Sequence, residues 1–386
     1  MSGLREAAVV GVAESDEIGV VPDKSSLQLQ GEATLNALAD AGLKLSDVEG
    51  LFSAGFRPTE VAEYLGIQPR YFDGTHVGGS SFLVHLGHAA AAIASGRIGV
   101  ALIVGGESGR SRVGLPAGFS GSHSSAQSME GQFENPYGLP GAIGGYAMAC
   151  ARHMHLYGTT SKHLAEIAVA ARKWAALNPR AYKREPLTVE EVLASPMVSW
   201  PFRKFDCCLV TDAAGAVVLT SLNRARDLKK KPVRVIGWGE GSDHQLISQI
   251  PDLTSGPGRI SGPDAFAMAG VRHEDIDVAQ IYDSFTYTVL TSLEDIGFCK
   301  KGEGGDFVSG GRIAPEGDFP LNTSGGGLSY THPGMFGIFT IVESVRQLRG
   351  DFIDQGLRQV AGAKLGLVHG TGGKLSATGT VILAAD

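Results

Sequence analysis

Short apolar runs alternate with longer amphipathic stretches along this chain. The runs at 7–12, 100–104, 216–219, 233–236, 279–282, 366–369 and 379–383 have strand length, and helical periodicity fills the intervals between them. Such alternation predicts an α/β fold with a largely parallel sheet covered on both faces. The stretch 89–104, broken by Ser95, Gly96, Arg97 and Gly99, reads as a buried helix followed by a strand and is too interrupted to span a bilayer.

The pattern also repeats. Residues 41–48 (AGLKLSDV) resemble residues 269–276 (AGVRHEDI) at an offset of 228, and each copy follows a helical segment and precedes a short strand. A duplicated α/β half is the economical explanation. Residues 112–201 break the alternation. They open with a Gly/Ser/Pro-rich stretch at 115–145 and continue as one helical pattern over 146–177 that stops at Asn178-Pro179. The expected organisation is therefore a first half at 1–111 and 202–235, an inserted loop or lid region at 112–201, and a second half at 236–386.

Composition narrows the function classes. A chain of 386 residues with 43% apolar content buries a substantial core, and a net charge of -7 argues against a nucleic-acid surface. The basic run Lys229-Lys230-Lys231 fits a solvated turn before a strand. Early acidic residues at the N-terminus lead us to expect no secretory signal. Cys150, Cys207, Cys208 and Cys299 lack disulfide or zinc spacing, so a reduced, cytoplasmic protein is expected. His85 and His88 stand three apart without a third ligand in sequence, as do His153 and His155 at a spacing of two, so no metal is expected. No phosphate-binding glycine motif points to a nucleotide cofactor.

Candidate chemistry concentrates at 325–334, GGGLSYTHPG, where a flexible backbone carries Tyr330 and His332 just ahead of a helical run. Five segments then carry a resemblance: 75–108 (THVGGSSFLVHLGHAAAAIASGRIGVALIVGGES), 178–202 (NPRAYKREPLTVEEVLASPMVSWPF), 205–221 (FDCCLVTDAAGAVVLTS), 281–298 (IYDSFTYTVLTSLEDIGF), and 322–337 with 369–379 (NTSGGGLSYTHPGMFG and HGTGGKLSATG). In this order the chain resembles the thiolase superfamily over essentially its whole length. It is most similar to the actinobacterial branch that looks like the thiolase part of sterol carrier proteins. The resemblance implies two α/β halves layered α-β-α-β-α, with CoA arriving as part of the substrate and no separate cofactor.

The thiols of a thiolase are missing, however. The nucleophile position falls at Gly79 or Ser80, and the second-cysteine loop reads Val368-His369-Gly370-Thr371-Gly372-Gly373. Ser80 and Ser81 offer hydroxyls with no paired base evident. Where relatives carry a His-Asp-Cys-Phe run, this chain has Tyr282-Asp283-Ser284-Phe285, while His332 keeps its Thr-His-Pro-Gly setting. This set implies carbon–carbon cleavage of a beta-hydroxyacyl-CoA by retro-aldol chemistry, which needs no nucleophile. Tyr330 and Tyr282 are expected to be the proton-transfer pair, with His332, Gly79, Gly372 and His369 holding the thioester oxygen. Asp283 is expected to orient its loop. Tyr137, Tyr146 and Tyr287 are expected to be packed, with their hydroxyls satisfied.

Cysteine-less chains of this kind are similar to the aldolases of bacterial steroid side-chain degradation, which cleave a 17-hydroxy steroid carboxyl-CoA to a 17-ketosteroid and propionyl-CoA. That likeness implies a steroid or other acyl-CoA substrate, a homodimer, and a complex with a separate OB-fold acyl-CoA-associated protein, with no nucleic acid or membrane involved. Two alternatives remain open at the level of sequence: a thiolase whose nucleophile comes from elsewhere, such as Cys299 or a partner, and a non-catalytic scaffold of a CoA-processing complex.

Overall fold

Eleven strands and twelve α-helices form among the described residues (6–113, 126–139 and 141–386) of the computed structural model. The strands are β1 (Ala7–Glu14), β2 (Gly50–Ser53), β3 (Tyr71–Asp73), β4 (Val100–Ser108), β5 (Met197–Ser199), β6 (Phe202–Arg203), β7 (Asp212–Ser221), β8 (Val233–Ser242), β9 (Val278–Ile281), β10 (Leu365–Gly372) and β11 (Ala377–Ala385). The first six helices are α1 (Ser26–Ala41), α2 (Pro58–Leu65), α3 (Ser81–Ala94), α4 (Met129–Phe133), α5 (Ala142–Tyr157) and α6 (Ser161–Leu177). The others are α7 (Val189–Ala194), α8 (Leu222–Ala225), α9 (Gly258–Ala269), α10 (Thr286–Ile296), α11 (Gly304–Val308) and α12 (Gly337–Arg349). All seven apolar runs of the sequence lie in strands, save that Tyr282 stands one residue past β9.

Nine strands join in the order β3-β2-β4-β7-β1-β8-β11-β10-β9. The expectation of a largely parallel sheet is corrected here. Only β3/β2, β2/β4 and β9/β10 run parallel, and the five central pairings are antiparallel. The reason is twofold. The short connection between β10 and β11 closes a hairpin, which requires antiparallel neighbours. Strands covered on both faces lose the apolar/polar alternation that would have marked them as antiparallel, as in β7, where nine of the ten residues are buried.

The internal echo has a structural counterpart. β2 and β9, the 3-10 turns Leu45–Asp47 and His273–Asp275, and the helix-ending Gly42 and Gly270 each stand 228 positions apart. Both glycines close their helices in the left-handed region, at φ 74° and 67°, where a side chain would be strained. Read from their edges inward, the halves run β3-β2-β4-β7-β1 and β9-β10-β11-β8. Leu321 bridges β9 in the place β3 takes beside β2. Only Ala8–Arg234 and Val9–Val233 pair across the junction.

Three helical layers enclose these strands. α1 covers the first half so closely that a Cβ on Gly11 would stand 2.2 Å from the Ala37 carbonyl oxygen. α9 covers the second half through Gly237 and Gly239 in the same way. Between the halves, α3 and α12 touch each other and strands of both, and the central apolar cluster includes Leu83, Leu86, Phe336 and Phe339. The chain is thus layered α-β-α-β-α.

The inserted region packs on the second half. Its helical pattern is not one helix: Gly158, at φ 75°, ends α5, and Thr160 caps α6 by accepting the His163 N–H, so two helices replace the single run 146–177. α6 lies against α10 and against the turn at Gly326–Tyr330. Much of the Gly/Ser-rich stretch (residues 114–125 and Pro140) lies outside the described residues. No described helix is long and apolar enough to cross a membrane.

Candidate active site

Tyr282 follows directly on β9, and its N–H donates to the His369 carbonyl at 2.9 Å, carrying the β9/β10 register one residue further. Its ring turns into the central layer and lies over Gly79, at the turn that starts α3. A Cβ on Gly79 would stand 1.8 Å from the Tyr282 Cε1. A residue with a side chain cannot occupy position 79 while this ring is in place. Where the family nucleophile is expected, the chain holds a phenol.

His332 arrives from the other side. The chain enters its loop through Gly325 and Gly326, both at positive φ, and makes one π-helical turn at Gly326–Tyr330. The Asp283 carboxylate holds that turn, accepting the Gly327 N–H at 2.6 Å and the Leu328 N–H at 3.2 Å. As expected, Asp283 orients the loop. The Thr211 hydroxyl accepts the His332 N–H at 2.8 Å and meets the Thr331 hydroxyl at 2.8 Å. Phe336 lies nearly parallel to the imidazole at 6.3 Å and edge-on to Tyr282 at 5.7 Å. Fixed in this way, the His332 Nε2 lies 2.8 Å from the Tyr282 Oη.

Burial sets the protonation of the pair. It raises the Tyr282 phenol well above the ordinary phenol range, with the Cys208 and Tyr146 groups adding to the shift, and pushes the His332 imidazole down to about 4. Near neutrality both are uncharged. The hydrogen bond then runs either from the phenol O–H to Nε2 or from an Nε2–H to the phenol oxygen, according to the imidazole tautomer. Asp283, buried with only amide donors around it, is pushed up to about 7.

Tyr330 is not part of this pair. Its hydroxyl donates to Glu14 Oε1 at 2.6 Å, and Arg346 of α12 clasps both oxygens of the same carboxylate at 2.7 Å. Burial opposes ionisation of Glu14, but the Arg346 charge and hydrogen bonds, then the Arg180 charge and the Tyr330 hydroxyl, outweigh it and hold the carboxyl at about 2. The structure therefore does not bring Tyr330 to Tyr282, and it sets His332 there instead. The Tyr330 ring lies edge-on to Phe339, within the central packing. A glutamate more than 300 positions away in the chain gave no signal in sequence.

His369 also lies apart from the pair. Side chains alternate along β10, so Gly370 and Gly372 face the α3 turn, while His369 points to the opposite face and lies beside Gly258 of α9. Its Nδ1 meets the Thr380 hydroxyl at 2.8 Å, and burial pushes the ring down to about 3. Gly372 does meet the Gly79 loop, since a Cβ there would stand 1.7 Å from the Val77 carbonyl oxygen. The structure thus brings together Tyr282, His332, Gly79 and Gly372, and it places Tyr330 and His369 elsewhere.

The other hydroxyls and thiols have settled roles. Ser80 donates to the Val77 and Ala377 carbonyls and Ser81 to the Gly78 carbonyl, with no side-chain base bonded to either among the described residues. Burial pushes the Cys207 and Cys299 thiols up to about 12, and Cys150 and Cys208 further still, so none is primed as a thiolate. His88 bonds Asp73 and His153 bonds Glu294, and no group of three ligating side chains forms among the described residues. Tyr146 is packed with its hydroxyl satisfied, as expected, on the Gly373 carbonyl at 3.3 Å beside the site. Tyr287 is fully buried, with no hydrogen-bond partner for its hydroxyl among the described residues, and Tyr137 is exposed, so neither fits the expectation of a packed, satisfied phenol.

Comparison with known proteins identifies relatives of this chain. Residues 239–385 match the family described as thiolase C-terminal domain-like. The chain is 38% identical to a 17-hydroxy-3-oxo-4-pregnene-20-carboxyl-CoA lyase of Mycobacterium tuberculosis, over 95% of this chain and 97% of the relative. It is 36% identical to a steroid side-chain-cleaving aldolase of Thermomonospora curvata, over 92% and 93%. Among solved structures it superposes on an Ltp2-ChsH2(DUF35) aldolase with a TM-score of 0.89 and 33% identity, covering 99% of this chain and 98% of that one.

Proposed function

This chain belongs to the thiolase superfamily, in its cysteine-less branch with the steroid side-chain-cleaving aldolases, and from that premise we propose that it is a retro-aldolase acting on a beta-hydroxyacyl-CoA. The substrate is a 17-hydroxy steroid carrying a carboxyl-CoA side chain, and the products are a 17-ketosteroid and propionyl-CoA. The observation that carries the reading is the Tyr282–His332 hydrogen bond of 2.8 Å at the position a nucleophile would need.

Retro-aldol cleavage consumes no net proton. The proton that leaves the tertiary hydroxyl is matched by the one that arrives at the alpha carbon of the CoA thioester enolate. One relay therefore suffices. As the carbon–carbon bond breaks, the Tyr282 oxygen takes the hydroxyl proton while its own passes to the His332 Nε2. The imidazolium so formed returns a proton through the phenol to the enolate carbon. A free tyrosinate is never required, which avoids the roughly 4 kcal/mol needed to lower a phenol from about 10 to 7. N–H groups of the turns at Gly79 and Gly372 polarise the thioester oxygen.

CoA enters as part of the substrate, and no separate cofactor takes part. The enzyme works as a complex with a DUF35-type OB-fold partner, a reading supported by its likeness to the Ltp2-ChsH2(DUF35) aldolase, and the family likeness alone suggests that its own subunits pair as a homodimer. The test is to co-purify the chain with such a partner, supply the 17-hydroxy steroid CoA thioester, and follow products by mass spectrometry. Equimolar ketone and propionyl-CoA are expected. An intact substrate with a competent partner present would reject the assignment.

A further inference from the structure

Tyr146 brings a second phenol to the neighbourhood of Tyr282. It lies on α5, in the inserted region, close enough for its group to oppose ionisation of Tyr282, and Cys208 neighbours both phenols. The ring is only 3% exposed and packs against Phe285 at 4.8 Å, which in turn stacks on Phe202 at 4.9 Å. This packing orients the ring without help from its hydroxyl.

The hydroxyl itself is lightly held. Its bond to the Gly373 carbonyl is 3.3 Å long, whereas hydroxyl-to-oxygen bonds ordinarily run about 2.7–2.8 Å. The acceptor belongs to an exposed glycine at φ 62°, so the hydroxyl stands where the packed interior meets an open turn. That glycine directly follows Gly372, the position that meets the Gly79 turn. Ser284, Thr371 and Leu375 complete the surroundings of the hydroxyl. Burial raises the phenol above its ordinary range, so it keeps its proton near neutrality and remains a donor.

We infer that Tyr146 is a further catalytic residue whose hydroxyl donates to the thioester oxygen of the bound substrate, an assignment that rests on the retro-aldolase reading. As the carbon–carbon bond breaks, its electron pair passes to the alpha carbon and spreads onto that oxygen. A donor aimed there stabilises the enolate more than it stabilises the starting thioester. Giving up a long bond to a neutral carbonyl for one to a charged oxygen favours the transition state further. Tyr146 keeps its proton throughout, and Tyr282 with His332 carries the proton that moves. Gly79 of the first half, Tyr282 of the second and Tyr146 of the inserted region thus complete one site between them.

The experiment compares wild type with Tyr146→Phe, each in complex with its partner. The variant keeps the ring on Phe285 and removes only the hydroxyl. On the 17-hydroxy steroid CoA thioester its kcat should fall about a hundredfold or more, the loss expected of one oxyanion donor, while KM stays within a few-fold of wild type. A kcat within a few-fold of wild type would overturn the inference. A second measurement needs no turnover. Infrared difference spectra of bound propionyl-CoA, labelled with carbon-13 at its carbonyl, read the thioester oxygen directly. The carbonyl band should lie at lower wavenumber in wild type than in Tyr146→Phe. A band at the same position in both proteins would contradict the inference, since a merely structural tyrosine would alter stability and leave the band in place. Failure of wild type to cleave the steroid would reject the retro-aldolase reading instead, and the infrared comparison would still decide the role of Tyr146.

Discussion

At the scale of single residues, the site depends on the absence of a side chain as much as on any group present. Gly79→Ala would place a methyl where the Tyr282 ring edge now lies, so the ring must leave its partner. Loss of a positioned acid–base group costs about 10²–10⁴ in rate. We therefore predict at least a hundredfold fall in kcat for Gly79→Ala, with an unchanged far-UV circular dichroism spectrum. Asp283 gives a second residue-scale prediction. Its folded pKa of about 7 is raised above the ordinary carboxylate value, so its contribution to stability is full at acid pH and is lost as pH rises through about 7. Asp283→Asn keeps an acceptor for the Gly327 N–H and removes the titration. Denaturant midpoints measured between pH 5 and 8 should fall with pH in wild type and stay flatter in the variant. The sequence pointed to Tyr282 and His332, because both lie on family segments. It did not show that they touch, since a hydrogen bond across 50 positions depends on a π-helical turn that no local pattern specifies.

Elements explain why Tyr330 lies apart from the Tyr282–His332 pair. The turn Gly326–Tyr330 directs His332 to the pair and Tyr330 toward β1, where Glu14 and Arg346 tie the first half to α12. Removing one partner of a buried ion pair costs about 3–5 kcal/mol, so Glu14→Gln should lower the melting temperature markedly. Tyr330→Phe gives up one hydrogen bond to a charged group and should cost about 1.5–3 kcal/mol. The pH dependence has the opposite sign to that of Asp283. The Glu14 carboxyl is depressed to about 2, so its contribution is full above the ordinary carboxylate range and is lost as pH falls toward 2. Thermal melts of wild type and Glu14→Gln should converge in acid. Strand positions were legible from apolar runs and helix ends from glycines such as Gly42 and Gly270. Strand direction was not, because burial on both faces erased the alternation, and the Gly158 break was hidden inside one continuous helical period.

Taken whole, the molecule keeps the thiolase architecture and sets the Tyr282–His332 pair beside Gly79, where the family nucleophile is expected. Two halves 228 positions apart present their turns to one central layer, and the pair forms where those turns meet. Since all four thiols are raised by burial, alkylation with iodoacetamide should leave cleavage unaffected, whereas a thiolase using Cys299 would be inactivated. The most direct measurement is the rate of ketosteroid and propionyl-CoA release by the partner complex for wild type, Tyr282→Phe and Tyr330→Phe, each shown to be folded. Tyr282→Phe should lose at least a hundredfold in kcat while Tyr330→Phe stays within a few-fold of wild type. An active Tyr282→Phe beside an inactive, folded Tyr330→Phe would contradict the assignment of the Tyr282–His332 pair.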